Sequence, residues 1–238
     1  MNQQLKTYIE NNIFPMYDRY YSHGMLHINN VIKNCLMLAE YYNLDLNKAY
    51  TIAAYHDIGL SVNRENHEKE SGKIFIKDKV IKKFFSDIEI KEMQEAIEDH
   101  RGSRKEPPRN IYGKILSDSD RDFDIEILAK RQLATSIKNY HNLHTFDEHF
   151  ERCYSYMLKR IEGFGHFNLW TDNPSLLKQR DEFERKYLDK KYTREIYKKE
   201  WGRIQADGTI EKIKNITMNP TTPNTISANS IAPVLVTF

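Results

Sequence analysis

The dipeptide His56-Asp57 is the part of this sequence whose residue types most clearly could do chemistry. Imidazole and carboxylate groups are the ligands that proteins offer to divalent metals of intermediate and hard character. Residues of the same two types follow apolar stretches at helical spacing elsewhere in the chain, at His27, His67, His100 and Asp120. An ionised aspartate beside histidines in a core is costly without a metal or another partner. The sequence therefore predicts a metal site inside a helical protein.

The apolar periodicity predicts the direction in which these side chains point. His56 lies one turn after Ile52, and His100 lies one turn after Ala96, so both should face the core. Asp57 is rotated by about 100° from its neighbour. At a helix end, however, its carboxylate can still swing toward the same ion.

The same periodicity predicts an all-α fold, a helical bundle. Helices are expected over residues 5–13, 24–42, 46–58, 65–76, 88–100, 111–140, 146–162 and 174–200. Gly59 is interpreted as the residue that ends the third helix. We expect one helical metal-binding domain over residues 1–201. Residues 202–238 should form a short β-hairpin around Asp207-Gly208, followed by a flexible tail rich in Asn, Thr, Ser and Pro.

Composition limits the classes of partner. The chain has 36 Lys and Arg against 34 Asp and Glu, which gives no basic stripe for nucleic acid or for an anionic membrane. It has neither an N-terminal apolar signal core nor an apolar run of the ~20 residues that cross a bilayer. Cys35 and Cys153 fall in helical patterns and should be buried thiols. A cytoplasmic protein is expected.

The ordered set His27, His56-Asp57 and Asp120 resembles the H…HD…D signature of the HD-domain superfamily of metal-dependent phosphohydrolases. Four stretches carry the resemblance: HGMLHINNVIKNCLMLAE (23–40), NHEKESGKIF (66–75), AIEDHRGS (96–103) and ILSDSDRDFD (115–124). The second and third of these look like the extra histidine motifs of relatives that hold a second metal. Leu60 stands where the cyclic-dinucleotide branch usually has lysine, and the GYP signature of that branch is absent.

The resemblance implies one or two divalent ions, of Mn, Mg, Fe, Co or Ni, and a metal-activated water that hydrolyses a phosphate ester or anhydride. The favoured substrate is a small metabolite, above all a nucleotide. The implied metal ligands are His27, His56, Asp57, His67, His100 and Asp120. For His67 and His100 the alternative is a hydrogen bond that orients a ligand or a phosphate.

On the substrate side, Asp57 and Arg101 are expected to be catalytic. His23, Arg101, Arg104 and Lys105 are expected to bind substrate, although the three basic residues also fit a solvated loop. Asp118 could orient Arg121 or a ligand, or could cap a turn. Three further histidines have polar flanks and are interpreted as surface residues: His141, His144 and His149.

Two other functions remain open at this stage. One is a di-iron oxygenase built on the same scaffold, and the other is a catalytically silent regulatory or binding module. The complete ligand set disfavours the silent module, and no substrate-side feature of an oxygenase can be identified. The expected partner is a small phosphorylated substrate, and the sequence leaves a homo-oligomer open.

Overall fold

The computed structural model describes residues 1–17, 24–121, 123–162, 169–206 and 208. Within these ranges the chain forms ten α-helices and no strand, which confirms the all-α prediction. The helices are α1 (Gln3–Asn12), α2 (Met25–Tyr41), α3 (Leu46–Tyr55), α4 (His67–Lys77), α5 (Asp87–Asp99), α6 (Ile111–Ser119), α7 (Ile125–Asn139), α8 (Phe146–Glu162), α9 (Pro174–Leu188) and α10 (Lys190–Ala206). None of the helices in the described ranges has both the length and the apolar composition needed to span a membrane.

Side chains from α1 to α6 bury one hydrophobic core. Within it α2 packs on α3 and α6, and α5 packs on α4 and α6. The centre of the core is made by fully buried aliphatic and aromatic side chains, among them Ile28, Ile52, Phe75 and Ile115. Burying such side chains is the main favourable term that holds the six helices together. This part of the fold carries all the candidate ligands.

A second core lies between α7, α8, α9 and α10. It is more aromatic than the first, with Phe150, Phe183, Tyr187 and Tyr197 nearly or fully buried. The rings of Phe183 and Tyr187 stack at 5.6 Å, and Phe150 meets Tyr197 edge to face at 5.5 Å. Phe123 packs against both cores, so it joins them at the entry to α7.

Side-chain caps decide where several helices begin. Ser86 and Glu89 form a reciprocal capping box at the start of α5. Asp45, Asn110 and Asn173 accept hydrogen bonds from the first amides of α3, α6 and α9. These bonds satisfy amides that have no partner inside the helix. The starts of α3, α5, α6 and α9 are therefore well defined.

The prediction of one helix over 111–140 is wrong. The helix ends at Ser119, and a new one begins at Ile125. Asp124 causes the restart, because its carboxylate accepts hydrogen bonds from the amides of Glu126 and Ile127. The break lets Asp120 turn inward at the end of α6.

The prediction of one helix over 174–200 is also wrong, because Asp189 separates α9 from α10 in an extended conformation. Its carboxylate accepts a hydrogen bond from the amide of Tyr192 in the next helix. The hairpin at 203–213 is corrected as well. Residues 203–206 belong to α10, and Gly208 has a φ of 68°, a conformation that suits a turn after a helix. The remaining hairpin and tail residues lie outside the described residues.

Two single-residue interpretations also change. Gly59 does not end α3, which already stops at Tyr55. Its role is close approach: a Cβ there would lie 2.5 Å from the backbone nitrogen of Ser71 and closer still to the carbonyl oxygen of His67. His149 is buried rather than on the surface, because it continues the apolar stripe of α8 through Cys153. Both cysteines are buried free thiols, as expected.

Candidate metal centre

The ends of five helices converge on one cluster of histidine and aspartate side chains. His27 lies in the first turn of α2, and His67 is the first residue of α4. His56, His100 and Asp120 directly follow the last residues of α3, α5 and α6. Each side chain is thus carried by a rigid helix. Because each helix begins or ends at its ligand, the five side chains can approach one another.

Three of the histidines are fixed in the same manner. The Nδ1 atom of His56 lies 2.7 Å from the carbonyl oxygen of Ala53. The Nδ1 atoms of His100 and His67 have the same relation to the carbonyl oxygens of Ile97, at 2.6 Å, and Arg64, at 3.2 Å. A carbonyl oxygen only accepts, so each Nδ1 carries the proton and donates it. In the neutral form of each ring the lone pair is therefore on Nε2, as a metal ligand requires.

The turn that presents Asp57 is held by a tyrosine. Tyr17 is fully buried, and its hydroxyl donates to the carbonyl oxygen of Ala54 at 2.8 Å. The same hydroxyl accepts a hydrogen bond from the amide of Asp57 at 3.3 Å. Directly after it the chain enters a 3₁₀ turn at Ile58–Ser61. These contacts fix the direction in which the Asp57 carboxylate leaves the backbone.

The two oxygens of Asp57 face two different pairs of histidines. Oδ2 lies 3.5 Å from Nε2 of His56 and 3.8 Å from Nε2 of His27. Oδ1 lies 3.3 Å from Nε2 of His67 and 3.5 Å from Nε2 of His100. The carboxylate therefore stands between two sets of nitrogen donors, an arrangement in which one aspartate can be shared by two ions.

Asp120 completes the set on the side of His27. Its Oδ1 lies 3.1 Å from Nε2 of His27 and 3.6 Å from Nε2 of His56. The Asp120 side chain is 23% exposed and that of His67 is 15% exposed, whereas the other four are at most 3% exposed. Within the described part of the chain, solvent thus reaches the centre at these two side chains, and we call the two places the Asp120 opening and the His67 opening.

The electrostatics of the cluster favour the charged form of Asp120. Burial opposes ionisation of Asp120, but its interactions with His27 and His56 prevail and hold the pKa of its carboxyl well below the usual range. Burial would lower the pKa of His56, but the charge of Asp57 and the interaction with Asp120 raise it to about 10. For His67 burial prevails and lowers the pKa. Two carboxylates and four imidazoles therefore form a tightly coupled group, in which metal binding displaces a proton from His56.

The donor set fits divalent metal ions. Among the described residues, the Nε2 atoms of His56 and His100 are buried and have no hydrogen-bond partner. Buried polar atoms are rarely left in this state unless a ligand meets them. Three overlapping groups bring their donor atoms within 4.8 Å of one another, namely His27–His56–Asp57, His56–His100–Asp120 and Asp57–His67–His100. A mixture of imidazole and carboxylate donors suits a divalent metal ion.

Residues 25–122 match the family model of the HD domain. Over this segment, about two fifths of the chain, the protein is similar to HD domains. The matched range includes α2 to α6 and every residue of the metal centre, which confirms the resemblance seen in the sequence. The HD domain thus corresponds to helices α2 to α6 around the first core. His56 and Asp57 are its histidine–aspartate pair.

Among solved structures, the chain is similar to the crystal structure of a predicted HD superfamily hydrolase from an uncultured Thermotogales bacterium. The two chains are 20% identical, with a TM-score of 0.48 over 78% of this chain and 92% of that one. This likeness is too distant to carry an argument about the site. A search of curated proteins found no significant match.

The HD domain brings together all six residues that were predicted as metal ligands. Their burial and mutual distances suit that role, which stays a prediction. The residues predicted on the substrate side are more scattered. Lys105 is exposed, and His23 lies outside the described residues. Arg104 forms a 2.9 Å ion pair with the buried carboxylate of Asp99.

Arg101 is held at the edge of the HD domain's His67 opening. Its side chain is exposed, and its guanidinium contacts the carbonyl oxygen of Glu65 and lies 3.5 Å from the carboxylate of Glu68. Glu68, which sequence reasoning missed, also lies 3.5 Å from Nδ1 of His67. A glutamate directly after a candidate ligand was the sequence signal that could have found it, and the structure buries this residue. Glu68 therefore connects the cation to the histidine.

Asp118 anchors a distant segment to the HD domain. Its carboxylate accepts hydrogen bonds from the amides of Trp170, at 2.9 Å, and Thr171, at 2.8 Å, and from the Thr171 hydroxyl at 2.7 Å. Burial raises the pKa of Asp118 despite these bonds. Of the roles considered from the sequence, the orientation of Arg121 rests on a longer contact than these hydrogen bonds, 3.8 Å from Nε of Arg121 to Oδ1 of Asp118.

Proposed function

We propose that this protein is a metal-dependent phosphohydrolase that acts on a small phosphorylated metabolite, with nucleotides as the favoured class. The observation that carries the proposal is the position of Asp57, whose two oxygens face two sets of histidine nitrogens. The similarity to HD domains supports the same class of reaction.

The residues divide into two groups of ligands around the shared carboxylate. His27, His56 and Asp120 would hold one ion with Oδ2 of Asp57. His67 and His100 would hold a second ion with Oδ1. When bound, divalent ions lower the pKa of coordinated water to near neutrality and neutralise charge on a phosphoryl oxygen.

The chain itself supplies access and orientation. Four of the six side chains are almost completely enclosed, so among the described residues the Asp120 and His67 openings are where a substrate would meet the centre. Such access suits a protruding phosphate group of a small molecule. Arg101 stands at the His67 opening, where Glu68 restrains it, and would hold a phosphate oxygen there.

The test is a turnover screen with the purified full-length protein. Mono-, di- and triphosphate nucleotides and sugar phosphates are each supplied with Mn, Mg, Co, Ni or Fe, and release of phosphate or pyrophosphate is measured. Activity should disappear with a chelator and return with metal. Hydrolysis in ¹⁸O-water should place the label in the released phosphate or phosphate ester.

Oxygen uptake is measured in parallel on the iron-loaded protein. Iron-dependent oxygen consumption without phosphate release would replace the proposal by the oxygenase alternative. No turnover with any substrate, combined with a full metal content, would favour a binding module.

A further inference from the structure

Arg121 is a buried cation that the proposed metal centre does not use. It directly follows Asp120, the most exposed of the candidate ligands, and is itself only 8% exposed. Within the described residues, its Nε and Nη1 atoms are buried and have no hydrogen-bond partner. An arginine remains charged in proteins, so an incompletely paired guanidinium in this position is costly.

The nearest carboxylate does not satisfy this guanidinium. Nε of Arg121 lies 3.8 Å from Oδ1 of Asp118, beyond hydrogen-bond distance. Asp118 already accepts three hydrogen bonds from Trp170 and Thr171. Burial disfavours the charge on Arg121 and lowers its pKa, and although Asp118 and Asp120 favour the charge, the second guanidinium of Arg160 from α8 also opposes it. An anion that bound here would reduce the repulsion between the two guanidinium groups.

Arg109 shows what a structural arginine looks like in the same protein. Its Nε and Nη2 atoms donate to the two oxygens of Asp99 at 2.8 and 3.0 Å, and Nη2 also donates to Glu98 at 2.8 Å. Such a bidentate pair leaves little capacity for a ligand. Arg121 forms no comparable pair with any described residue, although it is more buried than Arg109.

We propose that Arg121 binds a phosphate group of the substrate at the Asp120 opening. The planar guanidinium matches two phosphate oxygens, and it lies close enough to Asp120, the ligand that solvent reaches most easily, for the two charges to interact. Nε and Nη1 are both enclosed, so binding requires the side chain to turn toward that opening. This inference rests on the proposed function for the identity of the anion as part of a substrate.

The experiment measures the affinity of inorganic phosphate for the metal-loaded, full-length protein by titration calorimetry. Arg121→Gln removes the charge. Arg121→Lys keeps the charge but removes the planar guanidinium that can donate to two phosphate oxygens. Arg185→Gln, on an exposed position of α9, is the matched control. We expect Arg121→Gln to weaken phosphate binding by roughly 10-fold or more, Arg121→Lys to weaken it less, and the control to behave as wild type.

Metal content and melting temperature are measured on every variant. Unchanged phosphate affinity in the Arg121 variants, with a lower melting temperature, would show that Arg121 only pairs with Asp118, and the inference would fail. If Arg121→Gln does not fold, the affinity of Arg121→Lys decides the matter.

The measurement needs no turnover, so the two proposals fail separately. Phosphate binding that depends on Arg121 in a protein without hydrolase activity contradicts the proposed function alone. Hydrolysis whose KM is the same in wild type and Arg121→Lys contradicts the role of Arg121 alone.

Discussion

Both cores of this protein bury histidine side chains, but they differ in whether the ring nitrogens have hydrogen-bond partners. In the second core, Nδ1 of His149 lies 2.7 Å from the hydroxyl of Ser136, and its ring packs 5.3 Å from that of Trp201. In the first core, Nδ1 of His56 and Nδ1 of His100 each donate to a backbone carbonyl oxygen. Their Nε2 atoms point toward the carboxylate of Asp57 and have no hydrogen-bond partner among the described residues. The Nδ1 atom of His149 thus has a protein partner, whereas the Nε2 atoms of His56 and His100 are placed to bind a ligand.

The same contrast extends to the other polar groups. The second core pairs the hydroxyl of Tyr197 with Gln132 at 2.7 Å, and that of Thr193 with the carbonyl oxygen of Tyr187 at 3.0 Å. The first core concentrates two carboxylates and four imidazoles around one point. Burial of a polar residue therefore does not identify a functional site. The decisive feature is whether its buried atoms have partners.

The largest expected effect separates a ligand from a structural histidine. His56→Ala or Asp57→Ala should remove metal and reduce hydrolysis by more than roughly 100-fold. Loss of a residue that only orients a ligand already costs up to about 100-fold. His149→Ala should keep its metal and lose roughly 2 kcal/mol of stability, because it leaves a cavity and an unpaired Ser136 hydroxyl. Metal analysis, phosphate release and thermal melts measure these changes. Wild-type turnover in metal-replete His56→Ala would refute the site.

The second prediction concerns the number of ions. Wild-type protein purified without oxygen should contain about two ions per chain, because Asp57 presents one oxygen to each set of donors. His67→Ala and His100→Ala should each reduce the content toward one ion, while the ion at His27 and His56 stays. Elemental analysis decides this point. One ion in wild type, unaffected by either change, would assign His67 and His100 to the orientation of other groups.

A smaller effect is expected at the contact between the HD turn and α4. Gly59→Ala should cost about 1–3 kcal/mol, since the added methyl group meets backbone atoms of His67 and Ser71 that cannot easily move. The same shift should weaken the ion that His67 holds. Gly202→Ala is the control. With nothing within 4 Å of its Cβ, it should stabilise α10 by roughly 0.5–1 kcal/mol. Equal effects of the two substitutions would contradict the close-approach role.

The smallest effect is the pH dependence of the second core. Burial lowers the pKa of His149 below its ordinary value of 6.5, so the unfolded chain takes up this proton before the folded protein does. The stability that neutral His149 provides is present above pH 6.5 and is lost as the pH falls below it. Urea unfolding of the metal-loaded protein at pH 7 and at pH 5 should show a larger loss in wild type than in His149→Gln. An equal loss would show that His149 contributes nothing to the acid sensitivity.

Much of the fold could be read from local patterns in the sequence. Apolar residues at a period of 3.6 gave α2, α5 and α8 nearly to the residue, because a helix that packs on one face must repeat that spacing. The breaks at Asp120–Asp124 and at Asp189 were missed. There the apolar period continues while side-chain caps end one helix and begin the next. The Asp207-Gly208 signal was misread, because glycine with positive φ follows helices as well as turning hairpins.

By itself the sequence determined the residue types of the metal centre and their order along the chain, since ligand chemistry belongs to the side chains. Only the tertiary structure decided that His27, His56, His67, His100 and Asp120 meet at one point, because no local rule fixes the distance between ends of separate helices. It also decided that the two oxygens of Asp57 face different histidines, and that the nitrogens of Arg121 lack partners among the described residues. Whether a polar atom has a partner depends on chain segments that are far apart in sequence, and their packing settles it.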